Sequence, residues 1–375
     1  MNLLFDLVAT QPNTSGKRHG GGKYGEIIFK RMIERKIVFS CFYDHRKWLN
    51  PEIKELCVIN DIKLYDIKEK SVSDIITENN IQRLYSALPG TLAKLKCCDI
   101  YGTIHGLREF ETPFDNIFYR YKTNYKSILK FTIKRCFKKI YFTKKYNDFL
   151  NTYINTSFHL ITVSEHSKYA LLSYFPKLKD KVIPVFYSPN TSRKTKIERI
   201  SNVEKYFLLV SGNRWEKNNL RAIMAFDQLI SNNLITNIRM KVTGATSRNF
   251  KYRINNPSYF DFLGYVDDDE LEKLYANAYV FVYPSLNEGF GYPPIEAMRY
   301  GVPVISSPLS SIAEICSGGA LYFNPFSIEE IMNRMMLITE EHIYKEYSKN
   351  GLERYSKIYE KQKSDLDALI DYIYK

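Results

Sequence analysis

Short, mainly apolar runs alternate with amphipathic stretches along the whole chain. Leu3–Val8, Ile100–Ile104, Tyr206–Val210, Phe281–Tyr283 and Val302–Ile305 have strand length and little polar content, as expected of strands buried on both faces. Between them, the spacing of Ile27, Ile28 and Met32 and the apolar positions from Leu220 to Ile230 predict amphipathic helices, and a last helical stretch runs from about Ile343 to Tyr374. Strand-like runs alternating with helical patterns in both halves predict parallel sheets covered by helices, an α/β fold.

Length sets how many such units to expect. A chain of 375 residues with 45% hydrophobic content suits two domains of ordinary size, each with its own core. The polar, proline-containing stretch Tyr187–Arg193, which follows the apolar run Val182–Phe186, marks the expected boundary.

Candidate chemistry concentrates in Asn287–Met298, where Glu288 and Glu296 flank a loop containing Gly289 and Gly291. The run Phe281–Pro284 ends a strand, the glycines let backbone approach a ligand, and Pro293 and Pro294 suit the first turn of a helix. Free amides at such a turn can hold a diphosphate, and a carboxylate on the first turn, Glu296, can accept both hydroxyls of a ribose. Glu288 then faces whatever hangs from the far phosphate. After the run Tyr206–Gly212, Arg214 and Lys217 place two cations at a second strand-to-helix turn, a clamp for phosphate oxygens that gain charge as a leaving group departs.

On these residues the sequence resembles the retaining glycosyltransferases of family 4, most strongly from Phe207 to Pro325. The resemblance implies a GT-B fold: two Rossmann-like, doubly wound domains facing each other across a cleft. It implies an acceptor-binding domain over 1–190, a nucleotide-sugar-binding domain over 191–350, and a C-terminal helix over 351–375 that packs back toward the first domain. Glu288 then contacts the transferred sugar and Glu296 the ribose, Arg214 and Lys217 form the diphosphate pair, and Phe290, Gly291 and Tyr292 belong to the same binding loop. Backbone near Val266 reads the base edge. In the first half, Gly21 and Gly22 lie in a glycine loop that approaches the donor phosphate and the acceptor, although read from the residues alone this could equally be a flexible turn. His105, at the end of a strand, is delivered to the cleft as a catalytic residue, with Gly106 where the family often has an aspartate.

Charge adds a further expectation. The formal net charge is +13, and much of it lies in Arg120–Lys145, where basic residues interleave with aromatic and aliphatic ones and no acid intervenes. Such a surface, expected on the N-terminal domain, can lie on an anionic membrane; a helix packing its apolar side on its own domain is the other reading. No nucleic-acid-binding motif accompanies the charge, so nucleic acid is not an expected partner. The cysteines have neither metal-ligand nor disulfide-framework spacing, and no apolar run reaches the roughly 20 residues of a membrane span. These features fit a cytoplasmic protein, peripheral at the inner face of the plasma membrane.

The expected function is therefore metal-independent, cofactor-free transfer of a hexose or deoxyhexose, with mannose or rhamnose types favoured, from a nucleotide diphosphate sugar to a growing, lipid-linked bacterial surface glycan. A glycoside hydrolase using paired carboxylates and a non-catalytic, membrane-associated GT-B scaffold are the alternatives, with a GT-B epimerase or phosphorylase as nearer rivals.

Overall fold

The computed structural model describes residues 2–12, 20–154, 157–190, 197–198 and 204–375. The chain forms two compact units, one of Met1–Leu107, Phe142–Thr191 and Glu360–Lys375, the other of Arg108–Tyr141 and Ser192–Tyr359.

In the first unit six parallel strands, β1 (Leu3–Asp6), β2 (Ser40–Tyr43), β3 (Leu64–Asp66), β4 (Arg83–Ser86), β5 (Asp99–Ile104) and β6 (Phe158–Thr162), lie in the order β3-β2-β1-β4-β5-β6. The second unit has β7 (Tyr206–Leu209), β8 (Arg239–Thr243), β9 (Phe260–Gly264), β10 (Val280–Tyr283), β11 (Val304–Ser306) and β12 (Ala320–Tyr322) in the order β12-β11-β10-β7-β8-β9. Both orders are the same winding: the first strand of each unit pairs with its second and fourth, all parallel, as in Leu4 against Ser40 and Leu84, or Leu208 against Lys241 and Phe281. The expected doubly wound α/β architecture is present in each unit. The switch points, where an open sheet of this kind leaves a crevice at the strands' carboxyl ends, fall between β1 and β4 and between β7 and β10. The central strands are mainly apolar because helices cover both faces; Leu4, Phe5, Phe207, Leu208, Phe281 and Val282 are fully buried.

Two expectations change. Gly21 and Gly22 do not form a loop ahead of a helix; the helix Gly20–Glu34 already includes them in its first turn. At Gly21 the lack of a side chain lets that turn lie close to the chain after β4, where a Cβ would come within 3.0 Å of Leu88. The preceding residues 13–19 lie outside those described.

The span 1–190 is not one unit either, and the basic segment does not belong with the first sheet: Arg108–Tyr141 folds with the second. The cause is aromatic burial. Ile117 and Tyr121 enter the core beneath the second sheet, the Tyr121 hydroxyl accepts a hydrogen bond from the amide of Leu220 at 3.2 Å, and Arg221 reaches Asp115 at 2.9 Å. Phe131 stacks on Phe118 with ring centroids 3.9 Å apart and meets Trp215 edge-on at 5.5 Å. The last helix is one element, Glu341–Tyr374, longer than expected at its start. Its final portion counts with the first unit, where Asp367 binds Arg31 at 2.8 Å and Asp371 binds Arg35 at 2.7 Å.

If Arg108–Tyr141 is an integral part of the second core, Tyr121→Ala removes a fully buried ring and should destabilise that unit by about 3–5 kcal/mol in urea unfolding. A cost below about 0.5 kcal/mol, the range of ordinary surface substitutions, would mean that the segment is a passenger.

Candidate functional site

The site of the second unit is built at its switch point from the segments that follow β7 and β10. After β7 the chain turns through Ser211, at φ 55°, and Gly212, where a Cβ would come within 2.8 Å of both Ala245 and Val242. A short 3-10 turn, Trp215–Lys217, follows, and Asn218 at φ 57° redirects the chain into the helix Asn219–Ser231. Asparagine tolerates that left-handed geometry. Its fully buried side chain also donates to the carbonyls of Pro284 at 3.2 Å and Pro325 at 2.7 Å, so the turn is fastened to the loop after β10.

That loop is held from several sides. The amide of Leu286 donates to the carbonyl of Glu216 at 2.8 Å, and the amide of Glu288 donates to the Ser310 hydroxyl at 2.8 Å. The Ser311 hydroxyl shares its one proton between the carbonyls of Glu288 at 3.0 Å and Phe290 at 2.9 Å. Ser310 keeps a backbone of φ 53°, ψ −140° to do this, a conformation that costs a non-glycine residue about 1–3 kcal/mol.

These constraints bring two of the expected residues together. Lys217 Nζ lies 2.6 Å from Glu288 Oε1 and 2.9 Å from the Tyr283 hydroxyl, with side chains only 7% and 11% exposed for Lys217 and Glu288. Burial alone would raise the Glu288 carboxyl; the Lys217 ammonium, with hydrogen bonds from Lys217, Ser285 and Tyr283, outweighs it and holds the group below its usual range. Burial pushes the Lys217 ammonium down, Glu288 draws it back, and the charges of Arg214 and Arg108 push in the same direction as burial. Burial, then the charge of Glu288, sends the Tyr283 phenol well above its ordinary value. The result is a buried ion pair with further cations beside it. Among the described residues, Tyr283 and Glu288 engage two of the three Lys217 N–H groups, which leaves one able to donate elsewhere.

Gly291, at φ 102°, opens the helix Tyr292–Met298, and a Cβ there would find room, so the dihedral angle is what requires glycine. The amides expected to hold phosphate are fewer than anticipated, because Pro293 and Pro294 occupy the first turn and bring no N–H. Phe290 is buried, with its ring 5.2 Å from that of Tyr292, and serves as packing under the loop. Glu296 is half-buried on the helix. Burial, then the charge of Glu296 and a hydrogen bond to it, raises the Tyr275 phenol far above its ordinary value, which places Tyr275 beneath that carboxylate. The same neighbouring helix, Asp268–Asn277, carries Glu272, which binds Arg299 at 2.7 Å and the Tyr300 hydroxyl at 2.6 Å and so fixes the end of the Glu296 helix.

Arg214, whose charge reaches Lys217, is exposed at the entrance to the Lys217 turn, whereas Val266 lies apart, half-buried after the edge strand β9, two strands from β7. Asp267 caps the helix Asp268–Asn277 by accepting from the Glu270 amide at 2.8 Å. In the first unit His105 lies just past β5, its Nε2 3.0 Å from the Ala87 carbonyl and its ring edge-on to Tyr24 at 4.7 Å; Nε2 therefore carries a proton. Nearby, burial raises the Asp6 carboxyl at the end of β1 to about 6.

Sequence reasoning missed Tyr283, Ser285, Asn218, Tyr275 and Arg108. Tyr283 lies in a run that reads as a strand end and Ser285 three positions before its partner Glu288, so their polar tips were the available signal; the partners of Asn218, Tyr275 and Arg108 are distant in sequence and left none.

Removal of the Lys217 ammonium should strand the Glu288 charge. Lys217→Met is expected to cost about 3–5 kcal/mol, and Lys217→Met combined with Glu288→Gln to recover most of it, in chemical denaturation. A carboxyl whose folded pKa is depressed contributes stability above its unfolded value of about 4.5 and loses it as pH falls through the folded value. The wild type should therefore lose stability below about pH 4.5 by an increment that Glu288→Gln lacks; identical acid limbs would show that the pair is not formed.

Residues 190–354 match the family model described as glycosyl transferases group 1. Among curated proteins, the chain is 30% identical over 225 residues to O-antigen chain mannosyltransferase RfbU of Salmonella typhimurium (strain LT2), covering 60% of this chain and 56% of that protein. It is 27% identical over 203 residues to O-antigen chain mannosyltransferase B of Escherichia coli, covering 50% and 53%. The chain thus spans about half the length of the curated relatives it matches. Among solved structures, sucrose-phosphate synthase from Thermosynechococcus elongatus superposes with a TM-score of 0.68 at 15% identity, covering 99% of this chain and 98% of that one. WaaG, a glycosyltransferase involved in lipopolysaccharide biosynthesis, gives 0.65 at 14% identity, with 98% and 99% covered. Anabaena Alr3699/HepE in complex with UDP-glucose gives 0.65 at 14%, with 99% and 100% covered. The chain has the GT-B fold, and its residues 190–354 carry the sequence signature of the group 1 glycosyl transferases.

Proposed function

We propose that this protein is a retaining glycosyltransferase of the family 4 type that moves a hexose or deoxyhexose from a nucleotide diphosphate sugar to a lipid-linked, growing surface glycan at the inner face of the plasma membrane. The observation that carries the reading is the buried Lys217–Glu288 pair at the β7/β10 switch point, with Arg214 and Arg108 adding positive charge around it. A cation with one donor to spare suits a diphosphate, and a carboxylate held ionised suits an electron-poor sugar carbon. The names of the similar O-antigen mannosyltransferases favour mannose as the sugar and a polysaccharide chain as the acceptor, and the HepE complex favours a nucleotide sugar as the donor.

In the proposed reaction the bond from the anomeric carbon to the diphosphate oxygen breaks while the acceptor hydroxyl oxygen bonds to that carbon from the same face. The hydroxyl proton passes to a diphosphate oxygen, and the nucleoside diphosphate departs. Arg214 and Lys217 stabilise the charge that grows on the leaving group, a role that side-chain cations fill without a metal ion. Glu288 favours positive charge near the anomeric carbon, Glu296 holds the ribose hydroxyls, and backbone near Val266 meets the base. A hydrolase would need a carboxyl that stays protonated at neutral pH to act as general acid, and Lys217 keeps Glu288 from that role.

A thermal-shift panel with UDP, GDP, dTDP and ADP in EDTA tests the donor site. At a hundredfold excess over its Kd a ligand that binds only the folded state adds about 2.7 kcal/mol of stability. One nucleotide should raise the melting temperature of the wild type and not that of Glu296→Ala. Glu288→Gln should keep most of that shift and lose at least about tenfold in transfer rate, roughly 1.4 kcal/mol of barrier. No shift with any nucleotide would overturn the proposal, and equal behaviour of the two variants would overturn the division of roles.

A further inference from the structure

The helix Tyr125–Cys136 and the helix Lys138–Tyr153 that follows it bury none of their side chains fully. The inner side of the first is nonetheless committed: Phe131 lies on Phe118 and Trp215, and Thr132 Oγ1 is 3.0 Å from the Tyr119 hydroxyl. What remains outward is a run of large apolar groups. Tyr125, Leu129, Ile133, Phe137 and Ile140 are 76%, 46%, 49%, 57% and 68% exposed. The first three recur every fourth residue and so lie along one face of the helix; Phe137 at the junction and Ile140 past it add exposed apolar surface.

The same segment carries Lys122, Lys126, Lys130, Lys134, Arg135, Lys138, Lys139, Lys144 and Lys145, with no acidic residue from Tyr121 to Asn147. An apolar stripe accompanied only by cations is the composition of an interfacial helix, whose apolar face enters the headgroup region while lysines and arginines meet anionic lipid. Charge also selects among occupants. A second copy of the chain docked through this face would bring cations against cations, which association disfavours.

We propose that Tyr125–Ile140 is a docking face for an anionic lipid bilayer, with Leu129, Ile133 and Phe137 as its inserted residues. Because Phe131, on the inner side of the same helix, packs on Trp215, the docked helix supports the turn that carries Lys217. The proposal gives a location to the lipid-linked acceptor and rests on the transferase reading for that purpose only; the binding itself needs no sugar nucleotide.

The test is co-sedimentation with vesicles of phosphatidylcholine containing about one third phosphatidylglycerol, and with pure phosphatidylcholine. The full chain should bind the anionic vesicles and not the neutral ones, with binding that weakens as salt is raised. Two triple variants, Leu129→Ser/Ile133→Ser/Phe137→Ser and Lys126→Glu/Lys130→Glu/Lys138→Glu, should each lower vesicle partitioning by at least about tenfold. Both should melt as the wild type does and keep its nucleotide-induced shift. Absence of binding to anionic vesicles, or binding that survives both variants, would overturn the proposal. So would a dimer in light scattering that the serine variant dissolves, since the face would then belong to a second copy. If the nucleotide panel fails while vesicle binding behaves as described, the transferase reading falls and the docking face stands.

Discussion

The second unit is organised around one buried charge pair. Lys217 and Glu288 come from segments more than seventy positions apart, meet at 2.6 Å, and are almost entirely shielded from water. Moving two charges out of water costs several kcal/mol each, and their attraction repays this only when geometry and additional hydrogen bonds are good. The surrounding structure supplies those conditions. Tyr283 and Ser285 bond the pair, Asn218 and the Leu286 amide fasten one loop to the other, and Ser310 and Ser311 hold Glu288 from the far side. Replacing a buried ion pair by apolar residues of similar volume is often neutral or stabilising, so folding stability alone does not account for the arrangement.

The fold explains why the pair forms where it does. In a doubly wound sheet the chain leaves the first and fourth strands on opposite sides, so their carboxyl ends border a crevice that no crossover helix fills. The segments after β7 and β10 line that crevice in the second unit. The first unit repeats the winding, and the equivalent position there holds the start of the helix Gly20–Glu34, the buried carboxyl of Asp6 and its partner Ser86. The same topology thus offers two crevices with opposite character, one with clustered cations and one with a neutralisable acid.

The segment Arg108–Tyr141 shows how one stretch serves two surfaces. Its aromatic residues are numerous enough to fill a core and still leave an apolar exterior: Ile117, Phe118 and Tyr121 go inward, Phe131 closes over Trp215, and Leu129 and Ile133 remain outside. A helix that were only a solvated basic face would not need the outer set.

The sequence by itself determined the class of fold, because strands buried on both faces must be apolar throughout and the helices that cover them must be amphipathic, and both patterns can be read locally. It also singled out the two segments that meet beside β7 and β10, since glycines, prolines and charges gathered at strand ends at Gly212–Lys217 and Glu288–Glu296. What only the tertiary structure decided was partnership. That Lys217 bonds Glu288, that Tyr275 lies beneath Glu296, and that Arg108–Tyr141 joins the second core depend on which strands become neighbours. The glycines at 20–22 illustrate the same limit: glycine permits a loop and a helical turn equally, and the helix that begins at Gly20 brings Gly21 beside Leu88, far along the chain. Local pattern records what each residue can bury, whereas the identity of its neighbour is set by sheet order, and sheet order is established by contacts between segments that carry no mark of one another.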